Sequence, residues 1–168
     1  MSEQVRVIFV CWGNICRSPM AERVAEGWLE KAGITDVELT SAGVSSEESG
    51  NPIDRRARQW LTEAGYRADK HRAHRITADE IDGADLVIAM EDIHIDRMHR
   101  LKPSRTDHIH LLTHFDPDAT PGAGVPDPWY GDHSGFGDTL ASLEAAMPNL
   151  LDEIQRLRSE APVASMEE

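Results

Sequence analysis

The chain has 168 residues, 40% of them hydrophobic and 28% charged, with a formal net charge of −13. That size and balance imply one domain able to bury a core, no apolar run is long enough to span a bilayer, and the start MSEQVRVIFV lacks the basic, apolar and small-residue regions of a signal peptide. The charge argues against nucleic acid as the main partner, because a phosphate backbone asks for a basic surface, and any anion must be captured by a local field working against the global one.

The segment QVRVIFV (4–10) is β-branched and apolar, as a buried strand requires. Met20, Val24 and Leu29 recur at helical spacing and predict a helix over 17–32, started by Ser18-Pro19 and stopped by Gly33. VELTSAG (37–43) reads as a second strand. Ile53, Ala57, Trp60, Leu61 and Ala64 share one face of a helix over 52–66, where Trp60, like Trp28, is simplest as core. ADLVIAM (84–90) is a central strand, 91–102 a helix and DHIHLL (107–112) a fourth strand. Residues 116–133 are rich in Pro, Gly and Asp, and a loop of that length inside a domain is usually functional or disordered. An amphipathic helix over 137–158 follows, with Pro148 a point where it can bend. Residues 1–158 are expected to form the single domain and 159–168 a disordered tail.

Strands and helices alternate, which is the α/β pattern. It predicts a four-stranded parallel sheet with helices on both faces. In such sheets ligands bind outside the carboxyl ends of the strands. CWGNICRS (11–18) lies at that end of the first strand, and the 116–133 loop at the same edge.

CWGNICRS therefore forms a turn between a strand and a helix N-terminus, where unpartnered N–H groups and the helix dipole favour an anion. Gly13 and Asn14 tolerate the positive φ that a concave nest of amides needs. The G-x-x-x-x-G-K-[ST] pattern of nucleotide loops is absent. The chain's two cysteines, Cys11 and Cys16, both sit here. They make no disulfide framework and suit a reducing, cytoplasmic setting. A thiol at a helix N-terminus is favoured as thiolate. Arg17 can hold two phosphate oxygens at once, which Lys cannot, and Ser18 can donate its hydroxyl to the sulfur. A thiolate facing a bound phosphoryl group is poised for in-line attack. These residues alone do not choose between Cys11 and Cys16 as nucleophile.

VCWGNICRSPMAE resembles the phosphate-binding loop of the low-molecular-weight protein tyrosine phosphatases, with its C-x5-R-[ST] core. SAG (41–43), H-x-A-x-x-I-T (71–77), VIAM (87–90) and DPWYGD (127–132) are similar to further landmarks of that family, in the same order, so the resemblance spans about residues 5–157. It implies phosphotyrosine hydrolysis in proteins through a phosphocysteine, with no metal and no cofactor. It assigns Cys11 as nucleophile, Arg17 as phosphate clamp and Asp127 as the acid that protonates the leaving phenolate and then activates water. The remaining loop residues Trp12, Gly13, Asn14, Ile15, Cys16 and Ser18 surround the phosphate. Ser41 and His71 support Asn14, with Ser18 in the same network, and Trp129 and Tyr130 wall the cleft. Cys16 is either structural or the partner of Cys11 in a reversible, protective disulfide.

The chain departs from the family pattern at Trp12, where smaller residues are common, at His74 in place of Arg and at Glu91 in place of Asp. VSSEESG (44–50) lacks an aromatic wall residue, and its Glu47-Glu48 pair reads as solvated charge. Asp116, Asp118 and Asp132 compete with Asp127 on position alone; Asp132 reads as a turn or cap residue. The pairs His108/His110 and His94/His99 have no usual metal-ligand spacing and read as solvated or core-edge histidines. Arsenate reductases of this fold need further cysteines. Arginine phosphatases typically carry Thr where Ile15 stands, and Ile15 with Trp129 and Tyr130 favours a phenyl ring. A silent anion- or phosphotyrosine-binding module would not need the full Cys, Arg and Asp set. The mechanism needs Cys11 ionised while Asp127 keeps its proton, so the rate should be bell-shaped in mildly acidic to neutral buffer.

Overall fold

A computed structural model describes residues 4–131 and 133–166; the side chains of Tyr130 and of 161–166 lie outside the described part. Four strands, β1 (Val5–Cys11), β2 (Val37–Gly43), β3 (Leu86–Ala89) and β4 (Ile109–Leu111), form one sheet in the order β2-β1-β3-β4. Every pairing is parallel. The helices are α1 (Arg17–Lys31), α2 (Arg55–Glu63), α3 (Ala78–Gly83), α4 (Asp92–His99) and α5 (Gly135–Met166).

The alternation of β1 builds two cores. Val7 and Phe9 point to one face and pack with Met20 and Val24 of α1, Ala57 and Leu61 of α2, and Leu143 and Leu150 of α5. Ile8 and Val10 point to the other and meet Ile81 of α3 and Met98 of α4. Both faces of a parallel sheet are thus covered, and its central strands are apolar but for the exposed Arg6 near the start of β1. Side chains such as Phe9, Met20 and Ile88 are fully buried, each worth about 1.5–3 kcal/mol relative to exposure.

Three elements differ from the sequence expectation. α3 was not expected, yet Thr77 caps it, accepting from Glu80 N while the Glu80 carboxylate accepts from Thr77 N. The expected 52–66 helix instead starts at Arg55, because Asp54 caps α2 by accepting from Arg56 N and Ala57 N. At the far end, α5 continues as one helix through Pro148 and on to Met166, where the expectation ended it at 158 and placed a disordered tail beyond. The helix thus carries Pro162 as well as Pro148, and residues 167–168 lie outside the described part.

The strand order reverses direction between β1 and β3: the chain leaves β1 toward the α1 face and leaves β3 toward the α4 face. The two loops part there, opening a crevice at the carboxyl edge. Everything that follows is set in that crevice.

Candidate active site

Cys11 ends β1, and Cys16 precedes α1, so residues 12–16 form the turn between them. Asn14 sits inside this turn at φ 63° and is 1% exposed. That left-handed conformation is tolerated by Asn far better than by most residues. Its side chain holds it there. Nδ2 donates to Ser18 Oγ at 2.8 Å and to Ser41 Oγ at 3.0 Å. Oδ1 accepts from the backbone N–H of His74 at 3.1 Å. The Asn14 carbonyl faces His71 Nε2 at 2.7 Å; a carbonyl can only accept, so His71 carries its proton on Nε2. Ser41 in turn donates to Glu22 at 2.7 Å. Burial holds His71 below its usual range and keeps it the neutral donor this bond needs. The close approach of β2 to this turn depends on Gly43, where a Cβ would lie 2.7 Å from Trp12 O and 3.1 Å from Asn14 N.

Cys11 Sγ lies 3.0 Å from Ser18 Oγ, at the foot of α1. The first-turn N–H groups of that helix have no intrahelical acceptors and favour negative charge. Cys16 differs: burial, aided by the Asp54 carboxylate, pushes its thiol well above the ordinary range, so it stays protonated. Both cysteines are free thiols. The two sulfurs thus have different neighbours, the Ser18 hydroxyl for Cys11 and the Asp54 carboxylate for Cys16.

Arg17 crosses the floor of the crevice and is 2% exposed. Nη1 donates to the Val125 carbonyl at 2.8 Å and to the Glu91 carboxylate. Nη2 is 3.4 Å from Asp127 Oδ2. Asp127 Oδ1 accepts from Trp129 N at 3.0 Å and so caps the short 3-10 turn Pro128–Tyr130. Behind Arg17, His94 Nδ1 accepts from Glu91 N at 3.0 Å, and its Nε2 lies 3.5 Å from Arg17 Nη2. Burial, with the positive charge of Arg17 second, pulls His94 down to about 3.

One pocket collects these groups. Cys11, Trp12, Gly13, Ile15, Cys16 and Arg17 line it on the turn side, and Asp127 and Trp129 on the other. Trp129 is 43% exposed at the rim. The structure therefore brings Cys11, Trp12, Gly13, Ile15, Cys16 and Arg17 to one pocket, with Asn14, Ser18, Ser41 and His71 in the network behind them. The Tyr130 side chain and Asp132 lie outside the described part. Asp116 accepts from Asp118 N within its own turn and stands apart from the pocket.

A thiol beside a hydroxyl, a buried guanidinium and a carboxylate across a small cleft can bind a tetrahedral oxyanion and pass a proton to its leaving group. Residues 6–160 match the family described as Low molecular weight phosphotyrosine protein phosphatase. The chain belongs to that family. It is 39% identical over 165 residues to the low molecular weight protein-tyrosine phosphatase A of Mycobacterium bovis, covering 96% of this chain and 99% of that one. A low molecular weight protein-tyrosine-phosphatase of Streptomyces coelicolor is 40% identical, covering 89% and 93%. Among solved structures, the protein tyrosine phosphatase of Entamoeba histolytica superposes with TM-score 0.86 at 28% identity, covering 92% and 99%. YfkJ from Bacillus subtilis superposes with TM-score 0.84 at 30% identity, covering 92% and 96%.

Several residues of this phosphatase fold gain a place that the sequence reading missed. Glu47 and Glu48, expected as solvated charge, line the pocket, and Glu47 accepts from Trp12 Nε1 at 3.4 Å. Arg97 lies over the other side of the Trp12 ring, 4.8 Å from its centroid. Glu91 and His94 were noticed only as a substitution and a stray histidine, whereas both stand against Arg17. No local signal marks them, since their partner is more than 70 residues away. The other histidines lie elsewhere: His108 donates to Ile81 O at 2.6 Å, and His110 stacks on His114. Among the described residues no three of His, Cys, Asp or Glu converge on one point as metal ligands would. Trp28 and Trp60 pack against the core with their indole N–H groups satisfied by Tyr66 Oη and His133 O.

Proposed function

We propose that this chain hydrolyses phosphotyrosine in proteins by a phosphocysteine route. The observation that supports it most is the pairing of Cys11 with Ser18 on one side of a pocket that Arg17 floors and Asp127 closes. The phosphoryl group binds the loop 11–18 with two oxygens on Arg17, which must release Glu91 and Asp127 to take them. The Cys11 thiolate attacks phosphorus in line. An S–P bond forms, the P–O bond to the ring breaks, and Asp127 gives its proton to the departing phenolate. In the second half Asp127 takes a proton from water as the water oxygen attacks phosphorus. The S–P bond breaks, and the Ser18 hydroxyl receives the returning thiolate. Trp12, Ile15 and Trp129 line the pocket that takes the tyrosine ring.

This residue set disfavours the other chemistries of the fold. The chain has only two cysteines, too few for a disulfide relay to reduce arsenate, and Ile15 with Trp129 suits an aryl ring better than a guanidinium. We place the enzyme in the cytoplasm on its free cysteines. No helix among the described residues is long and apolar enough to cross a membrane. Cys16 is either structural or the partner of Cys11 in a reversible disulfide; the second role requires that Cys16→Ser recover less activity than the parent when thiol is added after peroxide.

The test is turnover of p-nitrophenyl phosphate with a chelator present. The reading expects full activity in the parent and none in Cys11→Ser. A silent binding module would give no turnover in either, and a metal phosphatase would lose it to the chelator.

A further inference from the structure

Arg56 lies outside the nucleophile loop, in the first turn of α2, and no motif marks it. Its guanidinium sits between two rings, 5.1 Å from the centroid of Trp129 and 4.6 Å from that of Phe136. Nε donates to Asp54 Oδ1 at 3.1 Å and Nη2 to Asp54 Oδ2 at 3.2 Å, a bidentate pair. Nη1 donates to the Trp129 carbonyl at 3.4 Å. One side chain thus ties three segments together: the N-cap of α2, the short turn Pro128–Tyr130 and the first turn of α5.

Two further bonds connect this strut to the chemistry. The backbone N–H of Asp54 donates to Ile15 O at 2.8 Å, anchoring the cap to the nucleophile loop. On the far side Trp129 N donates to Asp127 Oδ1 at 3.0 Å. The path from the loop that carries Cys11 to the carboxylate that faces it therefore runs Ile15, Asp54, Arg56, Trp129, Asp127. Trp129 stands at the pocket rim, 43% exposed.

We propose that Arg56 is a positioning residue that sets Asp127 over the nucleophile loop by clamping the Trp129 turn to α2. The inference rests on the reading of Asp127 as the general acid. A planar guanidinium can stack on two rings while its edge holds a carboxylate; an ammonium cannot do both. Loss of the clamp lets the Asp127 turn drift, and misplacement of an acid by about 1 Å costs rate mainly where its proton is most needed.

The experiment measures kcat/KM over aryl phosphates of rising leaving-group basicity, with the inhibition constant of inorganic phosphate, for the parent, Arg56→Ala, Arg56→Lys, Asp127→Ala and the double variant Arg56→Ala/Asp127→Ala. Arg56→Ala should lose about tenfold on phenyl phosphate and phosphotyrosine but less than about threefold on p-nitrophenyl phosphate. Phosphate inhibition should stay within about twofold, which also reports an intact fold. Arg56→Lys should follow Arg56→Ala in this leaving-group dependence. In the Asp127→Ala background the Arg56 change should cost almost nothing more, because the two act through one group. Equal losses on every leaving group, no loss, or a full further loss in the double variant would each overturn the inference. If Asp127→Ala itself leaves the leaving-group dependence unchanged, the acid assignment fails and the positioning role goes with it; if Asp127→Ala is steep and Arg56→Ala parallels the parent, only the positioning role fails.

Discussion

Asn14 carries the turn, and replacing it should be felt in both stability and anion binding. Asn14→Ala removes three side-chain hydrogen bonds, to Ser18, Ser41 and the His74 amide. At roughly 1 kcal/mol each that is about 3 kcal/mol. Placing Ala at φ 63° adds about 1 kcal/mol of backbone cost that Asn largely avoids. The sum, about 4 kcal/mol, is a large share of the roughly 5–15 kcal/mol that holds a domain folded. Asn14→Gly restores the backbone freedom but not the bonds, and should lose about 3 kcal/mol. Urea unfolding of the two variants separates the terms, and the inhibition constant of inorganic phosphate reports the turn itself. Both variants should bind phosphate more weakly than the parent. If Asn14→Ala unfolds within about 1 kcal/mol of the parent and binds phosphate as tightly, the network does not shape the loop as argued.

Gly43→Ala would drive a Cβ to 2.7 Å from Trp12 O, and neither backbone can yield freely. It should cost about 1–3 kcal/mol in urea and weaken phosphate inhibition, whereas Gly33→Ala, with open space around it but φ +73°, should affect stability alone. His94 and His71 are both held below the usual histidine range by burial. The unfolded chain therefore binds protons below about pH 6.5 while the native state does not, so their contribution is complete above that pH and falls away as acid is added. For His94, down at about 3, the loss by pH 5 is roughly 2 kcal/mol, and His94→Asn should show that much less acid sensitivity in urea midpoints at pH 7 and 5. An unchanged pH dependence would mean that His94 does not titrate as its burial dictates. Asp127→Ala should lose about 10²–10⁴ in rate on poor leaving groups and far less on good ones; a parental rate on an alkyl phosphate would refute the acid role.

Much of this molecule was legible in one dimension because its signals are local. The β-branched run at 5–10 and the C-x5-R turn that follows it fix the first strand, the first helix and the loop between them, and in the structure that loop is where the pocket forms. Alternation of strand and helix was enough for a parallel sheet covered on both faces. The helix at Ala78–Gly83 was missed: the Thr77-x-x-Glu80 cap marks its start, but six residues with one buried apolar side chain make a weak periodic signal. What could not be read is what the fold alone brings together. Glu91 and His94 reach Arg17 across 74 and 77 positions. Arg56 reaches Trp129 across 73. Glu47 and Glu48 looked like any solvated pair, since only the crevice between β1 and β3 makes them part of a wall.

The most direct measurement is rapid acid quench of the enzyme during turnover of a phosphotyrosine peptide labelled on its phosphoryl group, followed by mapping of any label kept by the protein. The account predicts acid-stable label on Cys11, carried by neither Cys16 nor a histidine, and absent from Cys11→Ser. Label on another residue, or steady turnover with no protein-bound phosphoryl group at any quench time, would contradict it.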